Sequence, residues 1–174
     1  ILAQTAPQTF DISVWQFLAP LLVGGSIHIF ADEVAYDPTA LLTAVDSQQI
    51  TVFESVPTLM SAMLDHIRST GVLPVLERLR WLIATGEALP ASLSRAWFAV
   101  YPTVRQMNAS GPTECADDVA QFEIAYPGLD GAQAVPIGRP IANTQIYILD
   151  DLMQPVGIGV TGDIYVGGAG VGRG

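Results

Sequence analysis

Val104-Arg105-Gln106-Met107-Asn108-Ala109-Ser110-Gly111-Pro112-Thr113-Glu114 is the stretch that decides the fold. Residues 104–107 are short strand material, and Gly111-Pro112 closes the segment with a turn. Three more short, mostly apolar runs precede it, at residues 26–30, 50–53 and 81–84, as strands buried on both faces require. Helices with recognisable starts lie between them. Asp37 before Pro38 is an N-cap followed by proline at the first helical position, and Leu41, Leu42 and Val45 then mark one apolar face. Pro57 opens a second helix with Leu59, Met60, Met63, Leu64 and Ile67 as its stripe, and Pro90 a third with Leu93, Trp97 and Phe98. Strands alternating with helices predict βαβ units and a mainly parallel sheet, an α/β subdomain over about residues 1–120.

After about residue 120 the helical signals stop. Residues 143–149 and 163–166 read as strands separated by Gly and Pro turns, so residues 121–174 are expected to begin a partial β-rich subdomain. Residues 71–74 form a surface loop. Of the 174 residues 50% are hydrophobic and 14% charged, enough to bury a core. A net charge of -10 with seven scattered basic residues excludes a nucleic-acid partner, whose phosphates need clustered Lys and Arg. The lone Cys115 cannot form an internal disulfide, which suits a reducing, cytoplasmic compartment, and its plain role is that of a small buried hydrophobe. The uncharged run over residues 17–31 is interrupted by Pro20, Gly24 and Gly25 and is too short to span a bilayer. Ile1-Leu2-Ala3-Gln4 shows neither an initiating Met nor a basic leader, and Gly170-Val171-Gly172-Arg173-Gly174 stops inside a glycine-rich turn, so both ends read as cut.

In an open α/β sheet ligands sit beyond the carboxyl ends of the strands, so a Gly-Pro turn carrying Thr113 and Glu114 is well placed to meet phosphate and Mg²⁺. A hydroxyl followed by an acid is also an ordinary helix start. Asn108 with Gly111-Pro112-Thr113-Glu114 resembles the nucleotide-binding turn of the adenylate-forming superfamily, which holds peptide-synthetase adenylation domains, acyl-CoA synthetases and luciferases. Phe10-Asp11-Ile12-Ser13-Val14-Trp15 is similar to the synthetase segment that opens the amino-acid pocket, and Gly86-Glu87-Ala88-Leu89 to the adenine-side loop. Gly138-Arg139-Pro140, then Gly162-Asp163-Ile164-Tyr165-Val166-Gly167-Gly168 with the terminal glycine-rich turn, follow in the family's order.

The resemblance covers essentially the whole chain and implies a flavodoxin-like α/β layer belonging to an amino-acid-activating domain of a nonribosomal peptide synthetase. By it, Asn108, Ser110, Gly111 and the backbone of Gly86, Glu87 and Ala88 would face adenine. Thr113 would meet the α-phosphate and Glu114 the Mg²⁺ ion, as the catalytic contacts. Asp11, Ile12, Trp15, Glu54, Ile83, Thr85, Ala109 and Asp117 would line the amino-acid pocket, with Asp118 beside them. Asp11 also reads as an N-cap for a helix beginning near Ile12, and the two roles are compatible. A substrate α-ammonium in an apolar pocket needs a fixed carboxylate, and in the family this position is Asp where an α-amino acid is activated. Glu54 follows a buried-looking strand, where a carboxylate is disfavoured unless a cation meets it; an exposed strand end or an internal salt bridge are the other readings. A basic side chain on the substrate would supply that cation, a neutral polar one a hydrogen bond.

The implied reaction is attack of an amino-acid carboxylate on the α-phosphorus of ATP, giving aminoacyl-AMP and pyrophosphate, then transfer to the phosphopantetheine thiol of a carrier protein. Carrier and condensation domains are the implied partners, with neither nucleic acid nor membrane. An acyl- or aryl-CoA ligase of the same superfamily and a non-catalytic scaffold domain derived from it are the alternatives. Three departures from the family stand out. Its phosphate loop would precede Ile1; its ribose-binding aspartate and lysine-bearing subdomain would follow Gly174, and the chain contains no Lys. These 174 residues by themselves are therefore not expected to adenylate efficiently. Ser110 stands where the family has Tyr or Phe stacked on adenine, and a hydroxymethyl group offers no π-face.

Overall fold

A computed structural model describes residues 1–125 and 128–173. Gly174, the last residue of the glycine-rich turn, lies outside them. The chain runs through β1 (Leu2–Gln4), α1 (Ile12–Leu22), β2 (Ile27–Ile29), the short α2 (Asp32–Ala35), α3 (Pro38–Ser47), β3 (Val52–Ser55), α4 (Pro57–Thr70), β4 (Trp81–Ala84), α5 (Ala91–Val100) and β5 (Arg105–Ser110). A single 3₁₀ turn, Thr113–Cys115, leads to β6 (Ala120–Ile124), β7 (Arg139–Pro140), β8 (Thr144–Leu149) and β9 (Asp163–Gly168).

One sheet takes the order β2-β1-β3-β4-β5-β6-β7, and its first five strands are parallel. The order 2-1-3-4-5 is the flavodoxin-like doubly wound one expected from the sequence. The helix starts hold as well. Asp37 accepts from the backbone N–H of Thr39 at 2.8 Å and of Ala40 at 3.0 Å, and Pro38 and Pro57 occupy first-turn positions. Gly71 ends α4 at φ 70°, the left-handed conformation that favours glycine at a helix terminus.

Four differences from the sequence reading have physical reasons. β1 was not expected, because only three residues of strand material stand at the start of the chain with no turn before them; all three are buried. The strand expected at 50–53 is shifted to Val52–Ser55, which puts Glu54 inside it rather than beyond it. β5 runs on through Asn108, Ala109 and Ser110 because β6 pairs antiparallel with that end, matching Ser110 with Ala120. The sheet also passes residue 120: β6 and β7 extend it to Pro140, and β8 with β9 form a separate two-stranded sheet.

The period-two alternation of strands divides this sheet's two faces. Phe53, Leu82, Ala84 and Val104 join Leu41, Met60, Met63, Leu64, Trp97 and Phe98 of α3, α4 and α5 in one buried cluster. Burying each large apolar side chain contributes roughly 1.5–3 kcal/mol, so this face supplies most of the driving force. Trp97 donates its indole N–H to the carbonyl of Met60 at 3.2 Å, so its one polar group is paired within the core. The opposite face carries Glu54, Ile83 and Met107, which are register partners across β3, β4 and β5. α1 packs at this side against β1 and β2, burying Ser13, Gln16 and Pro20. Among the described residues no helix is long and apolar enough to cross a membrane.

Candidate functional site

Glu54 sits in the row Glu54-Ile83-Met107 and is only 2% exposed. Its Oε2 accepts twice, from the Trp15 indole N–H at 2.8 Å and from the Gln16 amide at 2.9 Å. Gln16 has no freedom to reverse that bond. Its Oε1 already accepts from the backbone N–H groups of Thr5 and Ala6, both at 3.1 Å, so its NH₂ must face Glu54. The end of β1, the start of α1 and β3 are thereby fixed to one another by a buried amide. Glu54 Oε1 is buried and has no partner. Burial pushes the Glu54 carboxyl up to about 8; the Gln16 and Trp15 donors oppose the shift, while Asp117 and Asp118 add to it. The internal salt bridge that the sequence left open for Glu54 is absent among the described residues.

Asp11, Trp15, Ala116 and Asp117 line a cavity of about 410 Å³ beside α1. A groove of about 630 Å³ along the sheet face takes in Trp15, Ile83, Met107, Asp117 and Asp118. A third depression of about 340 Å³ holds Ile12, Glu54, Thr85 and Gly86. Trp15 lines the first two and bonds Glu54 of the third, so one side chain links all three. Ala109 is buried in β5 and lines none of them. Asp11 is the N-cap of α1, with helical φ and ψ: its side chain accepts from the Ile12 N–H at 3.0 Å and its carbonyl from the Val14 N–H at 2.8 Å, while the Phe10 carbonyl accepts from the Ser13 N–H at 3.1 Å. The N-cap expected of Asp11 is thus present, and the residue also lines the cavity beside α1. Ala116 and Asp117 both have positive φ, 60° and 76°, an uncommon pair for residues with a Cβ. The Asp117 and Asp118 carboxyls of this loop are half-buried: burial, then Asp118 and Asp11, raise Asp117 to about 7, and burial raises Asp118 to about 6 against bonds from Gln121 and Thr85.

Two residues at the positions expected to face adenine have structural partners. Glu87 clamps the start of α4, accepting from Thr58 N–H at 3.1 Å and Thr58 Oγ1 at 2.8 Å, so its carboxylate has a structural task and the backbone of 86–88 is what remains for a ligand. Asn108 is buried and donates to the carbonyls of Pro136 at 2.9 Å and Val135 at 3.4 Å, which leaves its amide oxygen as the group suited to an exocyclic amine. Ser110 ends β5, half-buried, and Gly111, Thr113 and Glu114 are exposed in the turn beyond it. Thr113 opens the 3₁₀ turn, as the helix-start reading has it, and its exposure leaves the side chain open to solvent. No cluster of three metal-ligating side chains occurs among the described residues. A single exposed carboxylate such as Glu114 nevertheless fits Mg²⁺, which is usually held by one or two carboxylates together with substrate phosphates and water.

Gln16 and Met107 were missed in the sequence. Gln16 offers no motif, and Met107 becomes legible only from strand register, which sets it beside Ile83.

The raised carboxyls make stability pH-dependent. The unfolded chain releases the Glu54 proton near 4.5, whereas the folded chain keeps it up to about 8, so folding binds a proton throughout that window. Stability is full below about 4.5 and falls as pH rises towards 8; Asp117 and Asp118, starting from 3.8, have the same sign and end earlier. The thermal midpoint is expected to drop between about pH 5 and pH 8, and Glu54→Gln to flatten that slope by at least about 2–4 °C, the shift that roughly 1 kcal/mol produces at this chain length. A midpoint that rises across the window would contradict the assignment.

Comparison with known proteins supports the family resemblance. A family model described as AMP-binding enzyme matches residues 1–174. The indigoidine synthase of Dickeya dadantii (strain 3937) is 34% identical over 175 residues, covering 100% of this chain and 11% of that protein. The phosphinothricin tripeptide synthetase PhsB of Streptomyces viridochromogenes is 36% identical over 174 residues, covering 100% of this chain and 14% of its own length. The chain therefore spans about a tenth to a seventh of these curated relatives. In structure it is similar to PA1221, an NRPS protein containing adenylation and PCP domains, with a TM-score of 0.86 at 24% identity over 99% of this chain and 34% of that one. It is also similar to the N-terminal subdomain of Klebsiella oxytoca NpsA, solved with 3-hydroxybenzoyl-AMSN, with a TM-score of 0.82 at 22% identity over 99% of this chain and 43% of that one. With its whole described length matched by the family and by relatives of this kind, the chain belongs to the AMP-binding enzyme family.

Proposed function

We propose that these residues form the amino-acid-binding and adenine-binding part of an ATP-dependent adenylating ligase in a nonribosomal peptide synthetase. The observation that carries this reading is Asp11, a half-buried carboxylate lining a cavity, with no ion-pair partner among the described residues. An α-ammonium is the cation such a site is shaped to hold, and a plain acyl or aryl acid has none. Thr113, at the exposed turn, offers its hydroxyl to an α-phosphate oxygen, and Glu114 offers one carboxylate to Mg²⁺, which would neutralise phosphate charge. The amino-acid carboxylate would attack the α-phosphorus and pyrophosphate would leave. The aminoacyl group would then pass to the phosphopantetheine thiol of a carrier domain. Ile12, Trp15, Ile83, Thr85 and Ala109 would form the walls of the side-chain pocket. We place the end of the α/β unit at Pro140, where sheet membership stops, and the protein in the cytoplasm. Amino-acid-dependent ATP–pyrophosphate exchange by the complete domain, followed by thioester formation on a carrier protein in preference to free CoA, tests the proposal; exchange with fatty or aryl acids alone would overturn it.

Ser110 bears on nucleotide affinity. Base–aromatic stacking contributes roughly 1–3 kcal/mol, so its absence weakens ATP binding by roughly 5- to 150-fold. Ser110→Tyr in the complete domain is expected to lower the KM for ATP by an amount within that range and to leave the order of amino-acid preference unchanged. An unchanged or higher KM would mean that adenine is covered by another group.

A further inference from the structure

Glu54 presents an asymmetry that its place in the fold does not require. Both of its donors, the Trp15 indole and the Gln16 amide, go to Oε2, and Gln16 is locked in that sense by Thr5 and Ala6. Oε1 is left buried with no partner in a residue 2% exposed, within a depression that also contains Ile12 and Thr85. Buried polar atoms are nearly always paired, so an orphan held this rigidly marks a place where another group belongs. A second buried orphan, Asp118 Oδ1, comes from the loop that follows the left-handed pair Ala116 and Asp117. The charged groups acting on Glu54 are Asp117 and Asp118, and those acting on Asp117 are Asp118 and Asp11; every one of them is acidic. Four carboxyls converge on Trp15 and the Ile83 row. Arg80 and Ile1 line the same groove as Asp117 and Asp118, yet among the described residues no ion pair joins any of the four carboxyls to a cation.

Resting on the reading that Asp11 holds the α-ammonium, we propose that the amino acid taken by this site carries a cationic side chain, an amine or guanidinium, that donates to Glu54 Oε1 under the field of Asp117 and Asp118. A cation accounts for both features at once. It supplies the hydrogen bond that Oε1 lacks, and it allows neighbouring carboxylates to ionise together in an apolar surrounding, which like charges otherwise resist. A neutral amide would satisfy Oε1 but leave the acidic cluster uncompensated. An aliphatic side chain would do neither.

The test is exchange by the complete domain with lysine, ornithine, other diamino acids and arginine, set against the neutral Nδ-acetylornithine, glutamine, leucine, valine and phenylalanine. A charged member is expected to exceed its neutral counterpart in kcat/KM by at least roughly tenfold, and Glu54→Gln to remove most of that advantage while the KM for ATP stays put. The comparison within the unaltered protein stands even where the variant fails to fold. Best activity with glutamine or with an aliphatic or aromatic amino acid, or a preference unmoved in a folded Glu54→Gln protein, would overturn the cationic assignment and leave amino-acid activation intact. Exchange with no amino acid at all would overturn both.

Discussion

In the complete domain, Asp11→Asn is expected to lower kcat/KM for the amino acid by about 10²- to 10³-fold with little change in the KM for ATP. Removing one partner of a partly desolvated ion pair leaves the other charge uncompensated, and such losses run to about 3–5 kcal/mol. Asparagine is the informative replacement because its Oδ1 can still accept from the Ile12 N–H, the one hydrogen bond the Asp11 side chain makes at 3.0 Å. The backbone carbonyls that start α1, Phe10 accepting from Ser13 N–H at 3.1 Å and Asp11 accepting from Val14 N–H at 2.8 Å, are untouched by the change, so the helix itself should be nearly indifferent to it. A second readout does not depend on turnover. The Asp11 charge helps to hold the carboxyls of Asp117 and Asp118 up, and its loss should let both titrate at lower pH. A loss of activity below about fivefold, with those titrations unmoved, would reduce Asp11 to a minor contact at a helix start.

What the sequence could and could not reveal follows from the range of each interaction. The helices α3 and α4 announce themselves because Asp37-Pro38 and Pro57 act on their own first turns, and the stripes of Leu41, Leu42, Met60, Met63 and Leu64 answer to a single period. The family-specific segments place Asp11, Glu54, Ile83 and Asp117 around one region because the backbone between them is ordinary α/β framework. Strand register is not local. Nothing in Gln106-Met107-Asn108 says that Met107, rather than a neighbour, meets Ile83 and so faces the same side as Glu54. Double employment of a residue is equally invisible. Glu87 and Asn108 stand at motif positions, but that Thr58 takes the Glu87 carboxylate, and that Val135 and Pro136 take the Asn108 amide, depends on contacts 27 to 29 residues away. The loop after Glu114 escaped for a third reason. Left-handed backbone at Ala116 and Asp117 has no glycine or asparagine to signal it, and it is this pair that decides which way the two aspartates point.

That loop is also where a change far smaller than a lost charge should do comparable damage. A Cβ on Gly111 would stand 1.8 Å from the Asp117 carbonyl oxygen and 2.7 Å from Val119 N, both backbone atoms, so no side-chain rotation can relieve the clash. Either the Gly-Pro turn or the 116–118 segment has to move. The two are tied together by the Val119 N–H donating to the Ser110 carbonyl at 2.9 Å, and Gly111 therefore governs the spacing between them. On one side of that contact stand Thr113 and Glu114, on the other Asp117 and Asp118. Gly111→Ala is expected to cost about 1–3 kcal/mol of stability, as overpacking does, and to lower turnover by roughly 10²-fold, the scale set by a misplacement of about 1 Å. Unlike Asp11→Asn, it should weaken ATP and amino acid together, because it shifts the turn and the acidic loop as a unit. Gly157→Ala is the matched control: its Cβ would meet only Val160 Cγ2, at 3.9 Å, and the substitution should stay within about 0.5 kcal/mol of neutral. Full activity in a Gly111→Ala protein that melts like the original would show that the turn and the acidic loop are not mechanically joined. A loss confined to the ATP KM would place the whole displacement on the Thr113 side and leave the pocket carboxylates where they are.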